Sequence, residues 1–350
     1  MTDWHSLRVT RVVEETPVDR SLVLAVPPEL RGTFRWRAGQ HLVLRRTVDG
    51  EEYRRCYSIS ATPGEALRIT VRRVRDGRVS GDLHGRVAEG SVLEVSAPCG
   101  AFCLDTAPRA HRTHYFYAAG SGITPILSMV GAVLAHEPHS VANLLFGNRN
   151  LEQIPFRESL DSFAVAYPGR FRLTHTLTSP PWWKAFDGWR GRIDGGAVHR
   201  FVDQHPPVAQ DTHHWVCGPG GMNATVRRAL RAIDVPDERI HAESFGSPGA
   251  VEDRAIEGVP ATLEVTFADG AEARVPVAAG ETLLDALRRA ELPAPHACTA
   301  GVCSACRAQL TEGSVHQRSA FTLSEGEVER GVVLTCQAVP TGGAVGLRYP

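Results

Sequence analysis

The chain has 350 residues, a length that suggests two or three domains of ordinary size. Its 38 basic and 39 acidic residues leave a net charge of −1 with no long run of one sign, which argues against nucleic-acid binding. No stretch approaches the ~20 uninterrupted apolar residues of a membrane span, and the first residues lack the apolar core of a signal peptide. We therefore expect a cytoplasmic protein without a membrane span, and we expect a monomer.

Residues 6–107 consist of short segments rich in Val, Leu, Ile and Tyr, separated by turns that contain Gly and Pro. This pattern predicts an antiparallel barrel or sandwich, and no long helical pattern interrupts it. The predicted strands are 21–26, 41–47, 54–60, 67–74 and 92–96.

From Thr113 onward, strands alternate with helical patterns, which predicts a parallel sheet with crossover helices. A stretch rich in Gly, Pro and charge then predicts a linker, and the remaining ~90 residues predict a small α+β domain. In this domain we expect strands at 262–267 and 273–277 and a helix at 282–290. The predicted domains are 1–107, 108–245 and 261–350, with the linker at 246–260.

Four cysteines, Cys298, Cys303, Cys306 and Cys336, follow the pattern C-x4-C-x2-C, with 29 residues between the third and the fourth cysteine. This is the plant-type spacing of a [2Fe–2S] cluster, and it predicts an electron carrier. A structural zinc site is the alternative, because four thiolates also suit Zn2+. It is less favoured, because the loop lacks the paired C-x2-C units of zinc ribbons.

The segment Arg55-Cys56-Tyr57-Ser58 can serve a flavin, because it offers an aromatic face, a hydroxyl and a cation in one predicted strand. Taken alone, the segment is better explained as an ordinary strand that contains tyrosine. Val79 and Ser80 come just before a predicted helix at 81–87, where backbone N–H groups and the Ser80 hydroxyl can bind a diphosphate.

Two further segments predict a second nucleotide site. The loop from Gly120 through Gly122 and Thr124 to Pro125 follows a strand and opens a helix predicted at 126–134, although it is not the GxGxxG fingerprint. The segment 217–222, CGPGGM, follows another predicted strand. Ligands of open α/β sheets bind at this carboxyl edge.

In this order, the motifs RCYS, GRVS, PCGAF, GSGITP, CGPGGM and ESF resemble the ferredoxin–NADP reductase family, and the cysteine pattern after them resembles a fused plant-type ferredoxin. Over residues 6–349 the chain is similar to reductase components of bacterial oxygenases. The resemblance implies an antiparallel β-barrel flavin domain, an α/β parallel-sheet nicotinamide-nucleotide domain and an α+β (β-grasp) ferredoxin domain.

The resemblance also implies roles for individual residues. Ser58, Cys217 and Phe245 would set the geometry of hydride transfer. Gly100 stands where FMN-containing relatives have an asparagine, which favours FAD. The implied cofactor-binding residues are Arg55, Cys56, Tyr57, Ser58, Val79, Ser80, Gly100, Gly120, Gly122, Thr124, Pro125, Asn148, Arg149, Gly218, Pro219, Met222 and Phe245.

Some features remain open or have simpler interpretations. Arg149 is placed to bind the 2′-phosphate of NADPH, but similar proteins with an arginine there also use NADH, so either cosubstrate is possible. Ser304 stands where many relatives have glycine, and we expect it to be tolerated. We expect Cys56, Cys99 and Cys103 to be small buried residues, Trp182–Trp183 to pack, and His213–His214 not to bind a second metal.

The implied reaction passes electrons from NADPH or NADH through FAD and the [2Fe–2S] cluster to an external acceptor. The resemblance implies that this acceptor is an oxygenase, hydroxylase, desaturase or P450 component, which explains why the chain shows no haem, Rieske or di-iron pattern of its own. The alternative is a regulatory protein that uses its redox state as a signal without supporting rapid turnover.

Overall fold

The computed structural model describes residues 3–180, 186–245, 258–296, 299, 301, 304–318, 323 and 325–350. The chain divides into two compact units. One unit contains the second sheet and most of the first, and the other contains the C-terminal sheet together with Trp4 and Arg54–Cys56. The predicted Trp182–Trp183 packing lies outside the described residues.

The first sheet has six strands in the order β4-β3-β6-β1-β2-β5. An antiparallel bridge between Ile59 and Ile69 joins its two edges, so the sheet curls into the predicted antiparallel barrel. Apolar side chains such as Leu22, Leu44 and Val95 fill its interior. The elements are β1 (Trp4–Glu14), β2 (Asp19–Ala25), β3 (His41–Val48), β4 (Glu51–Ser58), β5 (Arg68–Arg72), helix α1 (Arg78–Arg86) and β6 (Val92–Ser96).

The second sheet is parallel, with the order β10-β9-β8-β7-β11-β12. The order reverses direction between β7 and β11, and this switch point opens a crevice at the carboxyl ends of the strands. The parallel α/β prediction is thereby confirmed. The elements are β7 (Thr113–Ala119), α2 (Ile123–His136), β8 (Val141–Asn148), α3 (Arg157–Ala166), β9 (Phe171–Leu177), β10 (Trp189–Arg190), α4 (Gly195–Gln204), β11 (Thr212–Gly218), α5 (Gly220–Arg231) and β12 (Ile240–Ser244).

Helix α2 packs between the barrel and the parallel sheet. Twelve of its 14 residues are buried, because one face packs on the parallel sheet and another on the barrel. The Ser128 hydroxyl donates a hydrogen bond of 2.6 Å to the carbonyl of Ala61, just beyond β4. The helix begins at Ile123, three residues before the predicted start, and Pro125 lies in its first turn, where no backbone donor is needed.

The third sheet is mixed, in the order β14-β13-β17-β15-β16, with β13 and β17 parallel and the other pairs antiparallel. Helix α6 begins after Thr282, whose hydroxyl caps it by accepting a hydrogen bond from the Asp285 N–H. The α+β prediction is confirmed. The elements are β13 (Ala261–Thr266), β14 (Glu272–Val277), α6 (Leu283–Arg289), β15 (Arg307–Gln317), α7 (Glu325–Glu329), β16 (Val332–Leu334) and β17 (Ala338–Arg348).

The last three residues of the predicted linker, 258–260, are attached to the C-terminal sheet. The N–H of Val259 donates to the carbonyl of Pro340, and the N–H of Gly280 donates to the carbonyl of Gly258. These bonds place the start of the folded domain earlier than composition suggests, because the Gly and Pro content conceals the contacts. Residues 246–257 lie outside the described part of the chain. None of the described helices is both long and apolar enough to cross a membrane.

Candidate functional site

A cavity of about 840 Å³ lies at the carboxyl edge of the parallel sheet. It is bordered by loops that follow several strands and by Phe245, which is 38% exposed just after β12. Such a crevice at a topological switch point is where open α/β sheets bind nucleotides. Seven of the residues predicted from sequence line it: Gly120, Asn148, Arg149, Gly218, Pro219, Met222 and Phe245.

Three other predicted residues, Gly122, Thr124 and Pro125, do not line the cavity but support the loop that does. A Cβ atom on Gly122 would lie 2.0 Å from the carbonyl oxygen of Cys217, so the loop after β7 can pass the end of β11 only as glycine. The Thr124 hydroxyl donates to the carbonyl of Ser121 at 2.9 Å and is buried with Pro125 in the first turn of α2. These three residues hold the backbone of the Gly120 loop in place.

Cys217 is fully buried at the end of β11, and burial raises the pKa of its thiol well above the usual value. The thiol is therefore neutral at physiological pH. The next residue, Gly218, lies so close to Met222 that a Cβ there would be 2.5 Å from the methionine Cε. The CGPGGM segment thus packs tightly around the cavity.

Glu243 is a candidate site residue that sequence reasoning missed, although it stands in the ESF motif. It lies beside Cys217 in the register of β11 and β12, and it is only 8% exposed. Its Oε2 has no hydrogen-bond partner among the described residues, and burial raises the pKa of the carboxyl to about 8. The Asn223 side chain holds this strand end by donating to the carbonyl of Glu243 at 2.7 Å. Glu243 is therefore a neutral acid near pH 7.

Replacing Glu243 with glutamine should change the pH dependence of stability. The carboxyl has a raised pKa in the fold, so between about pH 4.5 and 8 the folded state holds a proton that the unfolded state has lost. Wild-type stability therefore carries a penalty that grows with pH, by up to about 1.4 kcal/mol per pH unit. We expect Glu243→Gln to gain stability relative to wild type from pH 5 to pH 8 in urea unfolding.

The matched control is Glu238→Gln, which changes an exposed glutamate in the turn before β12. The buried histidines contribute equally to the pH dependence of stability in each protein, so their contribution cancels in the difference between variant and wild type. A constant stability difference between Glu243→Gln and wild type across this pH range would contradict the assignment of Glu243 as a neutral acid.

Arg72, which sequence reasoning also missed, reaches the cavity from the barrel strand β5. Its Nε and Nη2 form hydrogen bonds of 2.8 and 2.9 Å with the two carboxylate oxygens of Asp19, which is 2% exposed. A Cβ on Gly120 would lie 2.6 Å from Arg72 Nη1, so the guanidinium is held against the glycine loop. An ion pair anchored by a buried carboxylate gives this cation a defined position.

Arg149 and Arg192 line the same cavity, and both are exposed. Neither guanidinium forms an ion pair with a carboxylate in the part of the chain that the structure describes. Asp194, which also lines the cavity, uses its Oδ1 to cap α4 by accepting from the Ala197 N–H. Sequence reasoning found Arg149 from its strand end but missed Arg192, because the two lie 43 positions apart in the sequence.

The predicted flavin residues lie in and around the barrel. Arg55, Cys56, Tyr57 and Ser58 form the end of β4, where Ser58 is 5% exposed and Tyr57 packs against the barrel core. Gly100 has a φ of +116°, and a Cβ there would lie 2.8 Å from His41 Nδ1, so this turn after β6 requires glycine.

Val79 and Ser80 lie in the first turn of α1, which begins at Arg78 instead of the predicted residue 81. Val79 packs into the barrel core. The Ser80 hydroxyl accepts from the Val74 N–H at 3.1 Å and donates to the carbonyl of Gly77 at 3.3 Å. The hydroxyl therefore stabilises the turn before the helix, and the first-turn N–H groups remain the candidate diphosphate donors.

Cys56, Cys99 and Cys103 are only partly buried, which corrects the expectation that they are small buried residues. Burial raises the pKa of the Cys103 thiol to about 11, so this thiol stays protonated. The two histidines of the predicted pair differ: His214 is 2% exposed, whereas His213 contacts Asp211 and His241. No group of three metal-binding side chains occurs among the described residues.

Two of the four predicted cluster ligands lie in the described part of the C-terminal unit. Cys306 and Cys336 are 2% and 5% exposed, on segments that meet at the end of the sheet. The N–H of Thr335 donates to the carbonyl of Cys306 at 3.1 Å, which brings the segments together. Two buried thiols on converging segments fit the donor set of an iron–sulfur cluster. Cys298 and Cys303 lie outside the described residues.

The cysteine loop has an unusual backbone. Thr299 and Ser304 both have a φ of +56°, in the left-handed region that favours glycine. Ser304 therefore has a conformational cost that could not be predicted from the sequence, where it only stands at a position that is glycine in many relatives. The serine is accommodated, but at a position where glycine would be less strained.

Three family models match the chain in this order: an oxidoreductase FAD-binding domain at 9–103, an oxidoreductase NAD-binding domain at 116–228 and a 2Fe-2S iron-sulfur cluster binding domain at 266–341. One subunit of the 1,2-phenylacetyl-CoA epoxidase of Escherichia coli K12 is 35% identical, and the alignment covers 97% of this chain and 96% of the relative. The ferredoxin reductase component of the 3-ketosteroid-9-alpha-monooxygenase of Rhodococcus rhodochrous is 33% identical, with coverages of 95% and 93%.

The chain belongs to this family of ferredoxin reductase components. It has FAD-binding, NAD-binding and [2Fe–2S] domains, as the motifs predicted. The solved structure of phthalate dioxygenase reductase has the same fold, with a TM-score of 0.59, 24% identity and coverage of 99% of this chain and 98% of that one. The predicted enzyme class, a ferredoxin-reductase-type oxidoreductase, is confirmed.

Proposed function

We propose that this reductase transfers electrons from a nicotinamide nucleotide to a separate oxygenase component. The observation that carries this proposal is the shared compact unit that contains most of the FAD-binding barrel and the nicotinamide cavity, on a chain that also carries a [2Fe–2S] domain. When bound, the flavin exchanges electron pairs with nicotinamide and single electrons with the cluster.

The protein contributes mainly positioning and exclusion of water. We assign Ser58, Cys217 and Phe245 to hold the nicotinamide and flavin rings in reacting geometry, since alignment of reacting groups supplies much of the rate in such transfers. Because the Cys217 thiol and the Glu243 acid are neutral near pH 7, these two side chains place no negative charge at the ends of β11 and β12. Arg72 supplies a positioned cation for the nucleotide diphosphate.

The test is an anaerobic titration of the purified holoprotein with NADPH and with NADH, monitoring flavin and cluster absorbance. We expect both sets of bands to bleach, followed by rapid reduction of cytochrome c. Slow turnover combined with redox-dependent binding of another protein would instead support the regulatory alternative. A protein that lacks flavin absorbance would refute the proposal.

For the cosubstrate we propose NADPH, on the basis of Arg149 and Arg192. Two exposed guanidiniums in one cavity, without a described ionic partner, suit the additional phosphate that distinguishes NADPH from NADH. Hydrogen bonds to charged groups contribute about 1.5–3 kcal/mol each, which corresponds to roughly tenfold or more in affinity.

The double variant Arg149→Ala/Arg192→Ala should therefore lower kcat/KM for NADPH by about 100-fold and for NADH by less than about threefold. The control is Arg190→Ala, an exposed arginine of β10 that does not line the cavity. Equal losses with the two nucleotides would contradict the assignment of the phosphate to this pair.

The acceptor is expected to be an oxygenase, hydroxylase, desaturase or P450 component that docks with the C-terminal domain. Residues 261–350 contain 10 acidic and 7 basic residues, a net charge of −3 that would favour a basic docking surface on the acceptor. We infer a monomer that works in the cytoplasm, where a reducing environment suits thiolates that hold iron.

A further inference from the structure

A chain of buried hydrogen bonds lies directly behind two of the predicted cluster ligands. Thr335, which precedes Cys336, is 0% exposed, and its hydroxyl donates to the carbonyl of Cys306 at 3.0 Å. The phenol oxygen of Tyr349 lies 3.1 Å from the Thr335 hydroxyl and is itself buried at 3% exposure. Because the threonine hydrogen points to the carbonyl, the tyrosine O–H donates to the threonine oxygen.

Tyr349, the first donor of this chain of hydrogen bonds, is held in place by packing and by a backbone hydrogen bond. Tyr349 stacks on Phe267 with ring centroids 5.7 Å apart, and its N–H donates to the carbonyl of Thr266 at 2.9 Å. The tyrosine is therefore anchored on β13, a strand that does not contribute a cysteine. Hydrogen bonds in series polarise one another, so the Thr335 hydroxyl is a stronger donor with the phenol in place.

The same segment also contacts the beginning of the cysteine loop. The Gln337 side-chain amide donates to the carbonyl of Thr299 at 3.1 Å and to that of Cys336 at 2.9 Å. Residues 335–337 thus contact the loop near its start, through Thr299, and at its end, through Cys306. A loop with left-handed residues at Thr299 and Ser304 needs such external support.

We propose that Tyr349 and Thr335 are positioning residues for the [2Fe–2S] cluster. The Tyr349–Thr335–Cys306 chain holds the backbone of Cys306 against that of Cys336 and directs two hydroxyl dipoles toward the ligand segment. Hydrogen bonds and dipoles around a cluster help to set its reduction potential. This inference rests on the iron–sulfur assignment and not on the identity of the acceptor.

The test uses the full-length holoprotein and four variants. Tyr349→Phe removes only the phenol oxygen and retains the ring on Phe267, and Thr335→Val removes the hydroxyl at similar volume. Thr335→Ser restores the hydroxyl. The control, Thr341→Val, removes an exposed hydrogen bond of 2.8 Å to Ser314 in the same sheet, away from the cysteines. The readouts are the cluster midpoint potential, the EPR g values of the reduced cluster and the rate of bleaching by a chelator.

We expect Thr335→Val and Tyr349→Phe to shift the midpoint to more negative values, because the first removes the hydroxyl that donates to the Cys306 carbonyl and the second removes the phenol that polarises it, and both dipoles favour the reduced cluster. Their g values should change, and their bleaching should be at least threefold faster, about the effect of losing part of one hydrogen bond. Thr335→Ser and Thr341→Val should match wild type.

Wild-type potentials and g values in both Thr335→Val and Tyr349→Phe would overturn the proposal, even if bleaching were faster, since that result indicates a purely structural role. A shift in Thr335→Val that Thr335→Ser does not restore, or one without any shift in Tyr349→Phe, would also overturn it. A wild-type protein without a reducible cluster would refute the iron–sulfur assignment itself.

Discussion

Replacing Gly122 with alanine is expected to lower the rate of flavin reduction by NADPH or NADH by at least about 100-fold, since a displacement of about 1 Å at a reacting site can cost that much. The added Cβ would lie 2.0 Å from the carbonyl oxygen of Cys217, a backbone atom that cannot rotate away. Either the Gly120 loop or the end of β11 must move. Both border the nucleotide cavity, so the substitution disturbs the site from two sides.

Stopped-flow reduction of the flavin measures this effect, with flavin content and thermal unfolding recorded for each protein. The control is Gly85→Ala in α1, where an added Cβ meets no atom within 4 Å and alanine favours the helix. Gly85→Ala should retain the wild-type reduction rate. If Gly122→Ala also reduced its flavin at the wild-type rate, the close approach of the loop to Cys217 would not matter for function.

Replacing Cys306 or Cys336 with alanine is expected to abolish the cluster and to lower cytochrome c reduction by more than about 100-fold, because a thiolate ligand of the cage is lost. Flavin reduction by the nicotinamide nucleotide should be within about twofold of wild type, because the nicotinamide cavity and the two cysteines lie in different compact units and the hydride step needs only the flavin and the nucleotide. Loss of cytochrome c reduction with retained flavin reduction would show that electrons reach the acceptor through the flavin first and the cluster second.

Cys103→Ala is the matched control, since Cys103 is a partly buried cysteine of the flavin unit. It should retain the visible spectrum and EPR signal of the cluster. A cluster that persisted in both Cys306→Ala and Cys336→Ala would show that these thiols are not its ligands. Loss of the flavin in the same variants would contradict the independence of the two sites.

Much of the fold and cofactor set could be predicted because its signals are local in sequence. A loop such as 120–125 needs small residues after a strand and before a helix, and four cysteines at a fixed spacing specify a cluster. Two helix boundaries differ from the prediction. Helices α1 and α2 both begin three residues earlier than predicted, because Val79 and Ile123 are buried by tertiary packing that apolar periodicity alone does not reveal.

The residues that sequence reasoning missed share one property. Arg72 enters the cavity from another sheet, Arg192 approaches Arg149 only after the parallel sheet forms, and Glu243 becomes a neutral acid only when β12 is buried beside β11. Their sequence neighbours carry no sign of these contacts. Only Glu243 lay in a recognised motif, the ESF segment, in which Phe245 was the predicted site residue.

The amino-acid sequence by itself determined the order of the three domains' motifs, the cofactors and the four candidate cluster ligands, because spacing along the chain is enough to specify a glycine loop or a set of thiolates. Only the tertiary structure decided how the sites are supported: the anchoring of Arg72 on Asp19, the protonation of Glu243, the strain at Ser304 and the Tyr349–Thr335 chain behind Cys306. The physical reason is that burial, backbone dihedral angles and contacts between distant strands arise only when the chain is folded.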